Sequence, residues 1–184
     1  MIKSYKDYKE YLLCDRIALF GKDFNKVGMI IPRYGSYTYK YLITLRKLEY
    51  ITNVLNHPMF RLLRYIYRVK LSKLSVKTGI TLPPNTFGKG LGLYHYGSIV
   101  VNGTARFGDW CVIQSGVNIS SGVVGGDFVY LAPGSKVNEN IKIASHVIVG
   151  SNAVLTKDAS EESCTYGGVP AKKYQIKAIE LQWG

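Results

Sequence analysis

The chain has 184 residues, with 24 lysines and arginines against 12 aspartates and glutamates. This length allows one domain, or one domain with a helical extension. Its three cysteines, Cys14, Cys111 and Cys164, are scattered without the spacing of a metal site. Charged residues interrupt the first twenty positions, unlike a signal peptide, and no apolar run reaches membrane-spanning length. We therefore expect a cytoplasmic protein.

Residues 1–78 form a basic, tyrosine-rich region. They hold 16 Lys and Arg against 5 Asp and Glu, a balance of +11, and ten of the 15 tyrosines. Apolar residues recur there at helical spacing, which predicts three helices packed on a core. The three stripes are Tyr5, Tyr8, Leu12 and Leu19; Tyr37, Tyr41, Leu45, Leu48 and Thr52; and Phe60, Leu63, Tyr67, Leu71 and Leu74.

The third predicted helix concentrates positive charge. A solvated helix face explains this cluster, and attraction to an anionic membrane surface or to a phosphate-bearing substrate is the alternative. No nucleic-acid recognition module accompanies the charge, so no nucleic-acid partner is expected. The cluster consists of Arg61, Arg64, Arg68, Lys70, Lys73 and Lys77.

Residues 79–172 contain a regular repeat, because ten six-residue units follow one another from Val101 to Ser160 without insertion. A period of six fits neither a helix nor an alternating strand, and it is typical of a β-solenoid in which three units close one triangular coil. The first and fifth positions of each unit are predicted to point inward. The first positions are Val101, Phe107, Ile113, Ile119, Gly125, Leu131, Val137, Ile143, Val149 and Leu155. The fifth positions are Ala105, Cys111, Val117, Val123, Val129, Ser135, Ile141, Val147, Ala153 and Ala159.

A histidine interrupts this pattern just before the regular units. Extending the frame backwards places His95 on a first position, where an apolar residue is expected. An imidazole accepts a proton near neutral pH, which suits it to activate a hydroxyl group. Tyr94 and Tyr96 would form aromatic walls beside it. The alternative is a buried, hydrogen-bonded histidine that fills the first coil.

The remaining residues, 173–184, are predicted to form a short helix that caps the solenoid or joins subunits. Their apolar members are Tyr174, Ile176, Ile179, Leu181 and Trp183.

Two segments and the units between them carry a family resemblance: Leu93-Tyr94-His95-Tyr96-Gly97-Ser98-Ile99-Val100-Val101-Asn102 and Gly167-Gly168-Val169-Pro170-Ala171-Lys172. With them the chain resembles the hexapeptide-repeat acyltransferases, in particular the serine acetyltransferase-like branch that includes enzymes of surface-polysaccharide synthesis. The resemblance implies a left-handed parallel β-helix and a homotrimer with active sites between subunits. It also implies acetyl-CoA lying along the coils and His95 as the catalytic base.

The chain departs from serine acetyltransferases at three places and from polysaccharide-type relatives at a fourth. Tyr94 stands where serine acetyltransferases carry a substrate-holding aspartate, and the carboxylate that orients their histidine is missing, because its position falls near Ile80. Their inserted loop with a second histidine is absent between Ile119 and Gly126, and polysaccharide-type relatives have a histidine at Gln114. Neutral and aromatic side chains suit a sugar better than an amino acid.

The resemblance implies direct acetyl transfer without a covalent enzyme intermediate, with a backbone N–H group or Gln114 stabilising the oxyanion. No metal is expected, because His57, His95 and His146 do not stack along the coil. Acceptor-binding residues are predicted to be Tyr94, Tyr96, Gln114 and Asn118. Residues predicted to contact acetyl-CoA are Ala132, Gly134, Gly150, Ser151, Lys157, Lys172 and Lys173.

Three functions follow as hypotheses. The first is an acetyl-CoA-dependent O-acetyltransferase that acts on a sugar of a surface polysaccharide or its precursor. The second is a serine O-acetyltransferase or a similar enzyme for a small amino acid. The third is a trimeric scaffold that has lost its catalytic activity.

Overall fold

The computed structural model describes residues 1–22 and 36–174, and it joins an N-terminal helical region to a β-solenoid. Three α-helices come first: α1 (Tyr5–Phe20), α2 (Ser36–Asn53) and α3 (Arg61–Thr78), with a 3-10 turn at Pro58–Phe60. Ser4 begins α1 by accepting a hydrogen bond from the Asp7 N–H group, 3.0 Å away, and Gly79 ends α3 in the left-handed region. Within the described residues, no helix has the length and apolar character needed to cross a membrane.

Short strands follow, and they form three sheets that are the faces of the solenoid. The first face has the order β1-β3-β6-β9-β12, the second β4-β7-β10, and the third β2-β5-β8-β11-β13-β14. Every pairing is parallel except β13 with β14. This confirms the predicted parallel β-solenoid with a helical extension. The strands are β1 (Ile80–Thr81), β2 (Gly92–Leu93), β3 (Ile99–Val101), β4 (Arg106–Phe107), β5 (Val112–Ile113), β6 (Asn118–Ile119), β7 (Val124–Gly125), β8 (Tyr130–Leu131), β9 (Lys136–Val137), β10 (Lys142–Ile143), β11 (Ile148–Val149), β12 (Val154–Leu155), β13 (Thr165–Gly167) and β14 (Lys172–Tyr174).

The regular units pack as their period predicts. All twenty first and fifth positions from Val101 to Ala159 are buried. Equivalent residues on successive coils pair at a constant interval of three units, as Val100 does with Asn118 and Asn118 with Lys136. The interior is therefore a stack of apolar side chains in which each coil covers the one before it. Gly125, the exception among the first positions, leaves room for Phe107, whose ring occupies the space that a Cβ atom would need.

The register changes before Val101, and this corrects the predicted position of His95. Leu93 pairs with Ile113 and Ile80 pairs with Ile99, so these partners are further apart in the chain than those of the regular coils. The coil before the regular units is therefore longer than three units, and Leu93 rather than His95 takes the inward position. His95 follows Leu93 in a corner and is only half-buried.

The helical stripes agree with the structure only in part. In α2, Tyr41, Leu45 and Leu48 are buried as predicted, but Tyr37 is exposed. In α1 the buried residues are Tyr11, Asp15 and Ala18; of the predicted stripe, Tyr5 is exposed, whereas Leu19 is partly buried against the core. The cause of this difference is a charged residue at the centre of the buried side, which a search for apolar periodicity cannot find.

That residue belongs to a buried ion cluster of Asp15, Arg46 and Glu49, each at most 1% exposed. Arg46 Nε lies 2.8 Å from Asp15 Oδ2, and Arg46 Nη1 lies 3.0 Å from Glu49 Oε2. Burial alone would lower the pKa of Arg46, but the two carboxylates raise it, so the guanidinium stays charged. For Asp15, burial raises the pKa and Arg46 opposes that shift.

The same ion cluster connects α1 and α2 to the coil that precedes the regular units, which we call the first coil. Arg46 donates to the carbonyl oxygens of Phe87 and Gly88 at 3.1 and 2.5 Å, and Asp15 accepts from Leu91 N–H at 2.9 Å. Glu49 accepts from Asn85 N–H at 2.7 Å. Side chains of the helices thus satisfy backbone groups of an irregular coil that has no regular coil before it to pair with.

The C-terminal prediction needs one correction. Lys173 and Tyr174, the first residues of the predicted tail helix, lie in β14, antiparallel to β13. The rest of that predicted helix, residues 175–184, lies outside the described residues.

Candidate active site

The segment that carries His95 is a corner between the third and first faces, spanning residues 94–98. Gly97 N–H donates to the carbonyl of Thr78, the last residue of α3, at 2.7 Å, and Gly97 O accepts from Gly116 N–H at 3.3 Å. Gly97 and Ser98 both have positive φ, at 102° and 48°. A glycine adopts such a φ without steric cost, so this sharp corner depends on Gly97. The backbone on both sides therefore holds the His95 segment in place.

A groove begins at this segment and runs down the same corner of three further coils. We call it the corner groove, and its volume is about 440 Å³. Gly116 and Gly134 let successive corners pack closely, because a Cβ atom on Gly116 would lie 3.2 Å from Gly134 Cα. The predicted residues Tyr96, Gly134 and Ser151 are brought together here. The lining consists of Tyr96, Gly97, Ser98, Ser115, Gly116, Pro133, Gly134, Ser151 and Asn152.

One cation next to the corner groove was missed by the sequence analysis. Lys136 lies on the outer side of the first face, and its Nζ donates to the carbonyl oxygen of Gly116, a lining residue. A signal was present, since Lys136 follows Asn118 by one coil of the repeat and therefore stands directly beside it. The ammonium group gives this edge of the groove a positive charge for an anionic group of a bound molecule.

Two predicted acceptor residues lie together on the third-face side of the corner. Gln114 is 8% exposed, and its Nε2 donates to Tyr130 Oη at 3.2 Å. Tyr94 is half-buried; burial raises its pKa, and the nearby Tyr130 adds to the shift. The Gln114 amide is thus already hydrogen-bonded to Tyr130. Tyr130 was not among the residues that the sequence predicted for the site. Tyr94, Gln114 and Tyr130 form a neutral polar cluster beside His95.

Asn118 does not join that cluster. It is exposed on the first face and lines a different cavity of about 800 Å³, together with Val100, Asn102 and Ser120. The predicted acceptor residues are therefore divided within one subunit, with Asn118 apart from Tyr94 and Gln114. Its side chain points outward because it precedes the inward Ile119.

The predicted cofactor residues are divided as well. Lys157 follows β12 at the corner between the first and second faces, away from the corner groove. Lys173 forms a surface ion pair with Glu161, while Lys172 is exposed on β14. Ala132 is buried, whereas Gly150 donates its N–H group to Tyr166 O at 2.8 Å and lies against Gly167. Only Gly134 and Ser151 of the predicted set line the groove itself.

Other reactive side chains lie outside this corner. Burial raises the pKa of the Cys111 thiol, which points into the solenoid, and burial also raises that of Cys14. His146 is exposed and stacks on Phe128 at 4.7 Å between ring centres, and His57 caps the 3-10 turn through Met59 N–H at 3.3 Å. Residues 1–22 and 36–174 contain no group of three His, Cys, Asp or Glu side chains that could hold a metal ion.

The chain is similar to serine acetyltransferases in sequence. It is 32% identical over 131 residues to the serine acetyltransferase of Staphylococcus epidermidis strain RP62A, a match that covers 65% of this chain and 60% of that protein. The match therefore covers less than two thirds of the relative's length. No protein-family model matches the chain.

Solved serine acetyltransferases share the fold. The Neisseria gonorrhoeae enzyme in complex with serine superposes with a TM-score of 0.71 at 21% identity, over 93% of this chain and 70% of that one. A serine acetyltransferase in complex with CoA gives a TM-score of 0.70 at 18% identity, over 92% of this chain and 70% of that one. The solenoid and the N-terminal helices are thus the architecture of serine acetyltransferases.

Proposed function

We propose that this chain is an acetyl-CoA-dependent O-acetyltransferase with His95 as its general base. The observation that carries the proposal is the corner groove, which begins at the His95 segment and continues over exposed backbone to Ser151. A shallow groove lined by glycine and serine suits an extended chain such as pantetheine. The sequence relatives named serine acetyltransferase, and the related structure in complex with CoA, support the same donor.

The reaction needs one proton acceptor and one group for the oxyanion. His95 takes the proton of the acceptor hydroxyl as its oxygen attacks the thioester carbonyl, and the tetrahedral intermediate collapses to the acetyl ester and the CoA thiolate. The imidazolium returns its proton to that thiolate. Because the Gln114 amide already donates a hydrogen bond to Tyr130, a backbone N–H group is the better hydrogen-bond donor to the oxyanion in this proposal.

For the acceptor, we favour L-serine or another small hydroxyl amino acid. The Staphylococcus epidermidis relative is named serine acetyltransferase, and one related structure holds serine. Lys136 supports this choice, because its ammonium group at the groove edge can pair with a carboxylate. In this respect the second hypothesis of the sequence analysis is preferred over the first.

A sugar acceptor remains the second candidate, and one observation favours it. Tyr96 is 55% exposed in the corner groove, and Tyr94, Gln114 and Tyr130 form a neutral cluster on the other side of His95. Position 80 carries no carboxylate to orient His95, because it is an isoleucine, and Ile80 is fully buried in β1. Aromatic and amide groups recognise a sugar without needing opposite charges.

We also propose a homotrimer. The predicted acceptor and cofactor residues lie at several corners of one solenoid, and neighbouring subunits would bring such corners together. Asn118 and Lys157 would then reach the groove of an adjacent subunit. Light scattering should give a trimer mass, and an active monomer would contradict the assembly.

The test of the proposed function is an acceptor panel with the full chain. CoA thiol release from acetyl-CoA is followed with L-serine, L-threonine, L-homoserine and a set of neutral and phosphorylated oligosaccharides. We expect saturable release with L-serine, and mass spectrometry should identify O-acetylserine. Release with glycans only would replace serine by the sugar acceptor. No release with any acceptor, from a folded trimer that binds acetyl-CoA, would favour the scaffold that has lost its activity.

A further inference from the structure

Helix α3 has two sides of different character. One side faces the protein, where Leu71 and Thr78 are buried and Tyr67 and Leu74 pack against the core. The other side faces away from the described part of the chain and is unusually apolar. Leu62 is 69% exposed, Tyr65 65% and Val76 86%.

Positive charges border that apolar stripe on both edges. Given the helical repeat of about 3.6 residues per turn, Leu62, Tyr65, Val69 and Val76 share the centre of the outward side. Arg61 and Arg68 lie along one edge, and Lys70, Lys73 and Lys77 lie along the other. We call these nine residues the α3 face.

The charge of this helix is not balanced locally. The sequence of α3 contains six Lys and Arg and no Asp or Glu. None of the five cations of the α3 face forms an ion pair within residues 1–22 and 36–174. Lys70 Nζ and Lys77 Nζ lie over the rings of Tyr67 and Tyr37, at 5.0 and 4.4 Å from the ring centres, and both lysines are exposed.

We propose that the α3 face binds an anionic lipid surface. An amphipathic helix of this kind lies in the plane of the interface, with its apolar stripe among the headgroups and its lysines and arginines reaching outward to lipid phosphates. Cations on both edges of the stripe match that geometry. Each basic residue near an anionic bilayer strengthens binding severalfold, and the attraction falls with added salt.

A second copy of the chain fits the α3 face less well. Pairing two such faces about a two-fold axis would bring ten cations together with no carboxylate from either helix. The apolar centre also distinguishes the face from a purely electrostatic surface for nucleic acid, which needs no exposed leucine, tyrosine and valine. Anionic lipid satisfies both the apolar and the charged parts.

Binding of α3 to a bilayer would also fix the position of the candidate active site relative to the membrane. The last residue of α3, Thr78, accepts the hydrogen bond from Gly97 in the His95 segment at 2.7 Å. With α3 flat on the bilayer, the His95 segment would lie next to the C-terminal end of the docked helix, on the side of the protein. The lipid proposal itself does not depend on the identity of the acceptor.

The test is vesicle co-sedimentation of the full chain. Vesicles of phosphatidylcholine with about 30% phosphatidylglycerol should bind the protein, vesicles of phosphatidylcholine alone should not, and salt should weaken the binding. The variant K70Q/K73Q/K77Q should bind about 100-fold more weakly. The matched control R106Q/K142Q/K157Q removes the same charge from exposed positions of the solenoid and should bind nearly as the parent does.

A second variant tests the apolar stripe at unchanged charge. L62Q/Y65Q/V76Q should lose at least about tenfold in vesicle affinity. Both variants change exposed residues, and their thermal unfolding should match the parent. Equal loss in the R106Q/K142Q/K157Q control, or no preference for anionic vesicles, would overturn the proposal. Self-association or oligonucleotide binding that K70Q/K73Q/K77Q removes, without vesicle binding, would assign the α3 face to that partner instead.

Discussion

The regular coils and the first coil keep their shape by different interactions. From Val101 onwards, each unit buries its first and fifth side chains, and strand pairing repeats every three units. In the first coil the paired residues are further apart in the chain, and charged side chains from α1 and α2 hold the backbone at Phe87, Gly88 and Leu91.

This difference shows where the fold can carry chemistry. A coil held by its neighbours on both sides must repeat their geometry, so its corners stay short. The first coil is supported by helices instead, which allows two additional residues and two successive positive-φ residues, Gly97 and Ser98, whereas the regular corner at Gly116 has one. The candidate base lies in the corner of Gly97 and Ser98. Predictions for both regions test this comparison.

The largest effect is expected at the irregular corner. His95→Ala should lower turnover by about two to four orders of magnitude, the usual range for loss of a general base. Thermal unfolding and acetyl-CoA binding should stay near the parent values, because His95 is half-buried outside the stacked core. His146→Ala is the matched control, since that histidine is exposed at another corner. Near-normal turnover of a folded His95→Ala trimer would remove His95 from the mechanism.

The next prediction breaks the support of the first coil. Arg46→Met leaves Asp15 and Glu49 buried without their cation, which should lower the free energy of unfolding by about 3–5 kcal/mol. Chemical denaturation measures the loss. Hydrogen exchange should increase first at the amides of Asn85 and Leu91, whose acceptors are those carboxylates.

Arg106→Met provides the comparison for that variant. Arg106 is exposed on the second face and bonds only carbonyls of its own corner, Gly103 and Ala105. Its replacement should change stability little. If Arg46→Met were no more destabilised than Arg106→Met, the ion cluster would not be what supports the first coil.

A smaller effect is expected at the edge of the corner groove. Lys136→Met should raise KM for L-serine about tenfold with little change in kcat, because it removes a cation that pairs with the acceptor carboxylate in the ground state and the transition state alike. Lys142→Met, on the second face, should leave KM unchanged. A Lys136→Met effect on KM for acetyl-CoA alone would assign Lys136 to the donor.

The sequence predicted the regular part of the fold well and the irregular part poorly, for a physical reason. Because side chains are buried at a fixed period, every unit carries small or apolar residues at the same two positions. Each inward position from Val101 to Ala159 was therefore predicted. The ion cluster joins side chains of α1 and α2 to a distant part of the chain, and such contacts leave no local pattern. His95 was singled out, but with the wrong frame, because two additional residues in one coil cannot be placed without the pairing of Leu93.

The candidate site was predictable to a similar degree. Gly134, Ser151 and Tyr96 line one groove because equivalent positions of successive coils share a corner, which the period implies. Lys136 followed from the same rule and was overlooked. The bond between Gln114 and Tyr130 was not predictable, since side-chain orientation at a corner depends on local packing.

The smallest effect concerns a polar group inside the regular coils. Ser135 occupies an inward fifth position, is fully buried, and its hydroxyl is the only buried side-chain polar atom without a partner among the described residues. Ser135→Ala removes that hydroxyl and leaves the apolar stack intact, so the free energy of unfolding should rise by about 1 kcal/mol. The reciprocal change lies one coil later, where Ala153→Ser would bury a new hydroxyl and lower stability by about 1–3 kcal/mol. Opposite shifts in the denaturation midpoints would show that the regular coils, unlike the first coil, gain nothing from polar groups in their interior. A loss of stability in Ser135→Ala would mean instead that this hydroxyl is hydrogen-bonded in solution.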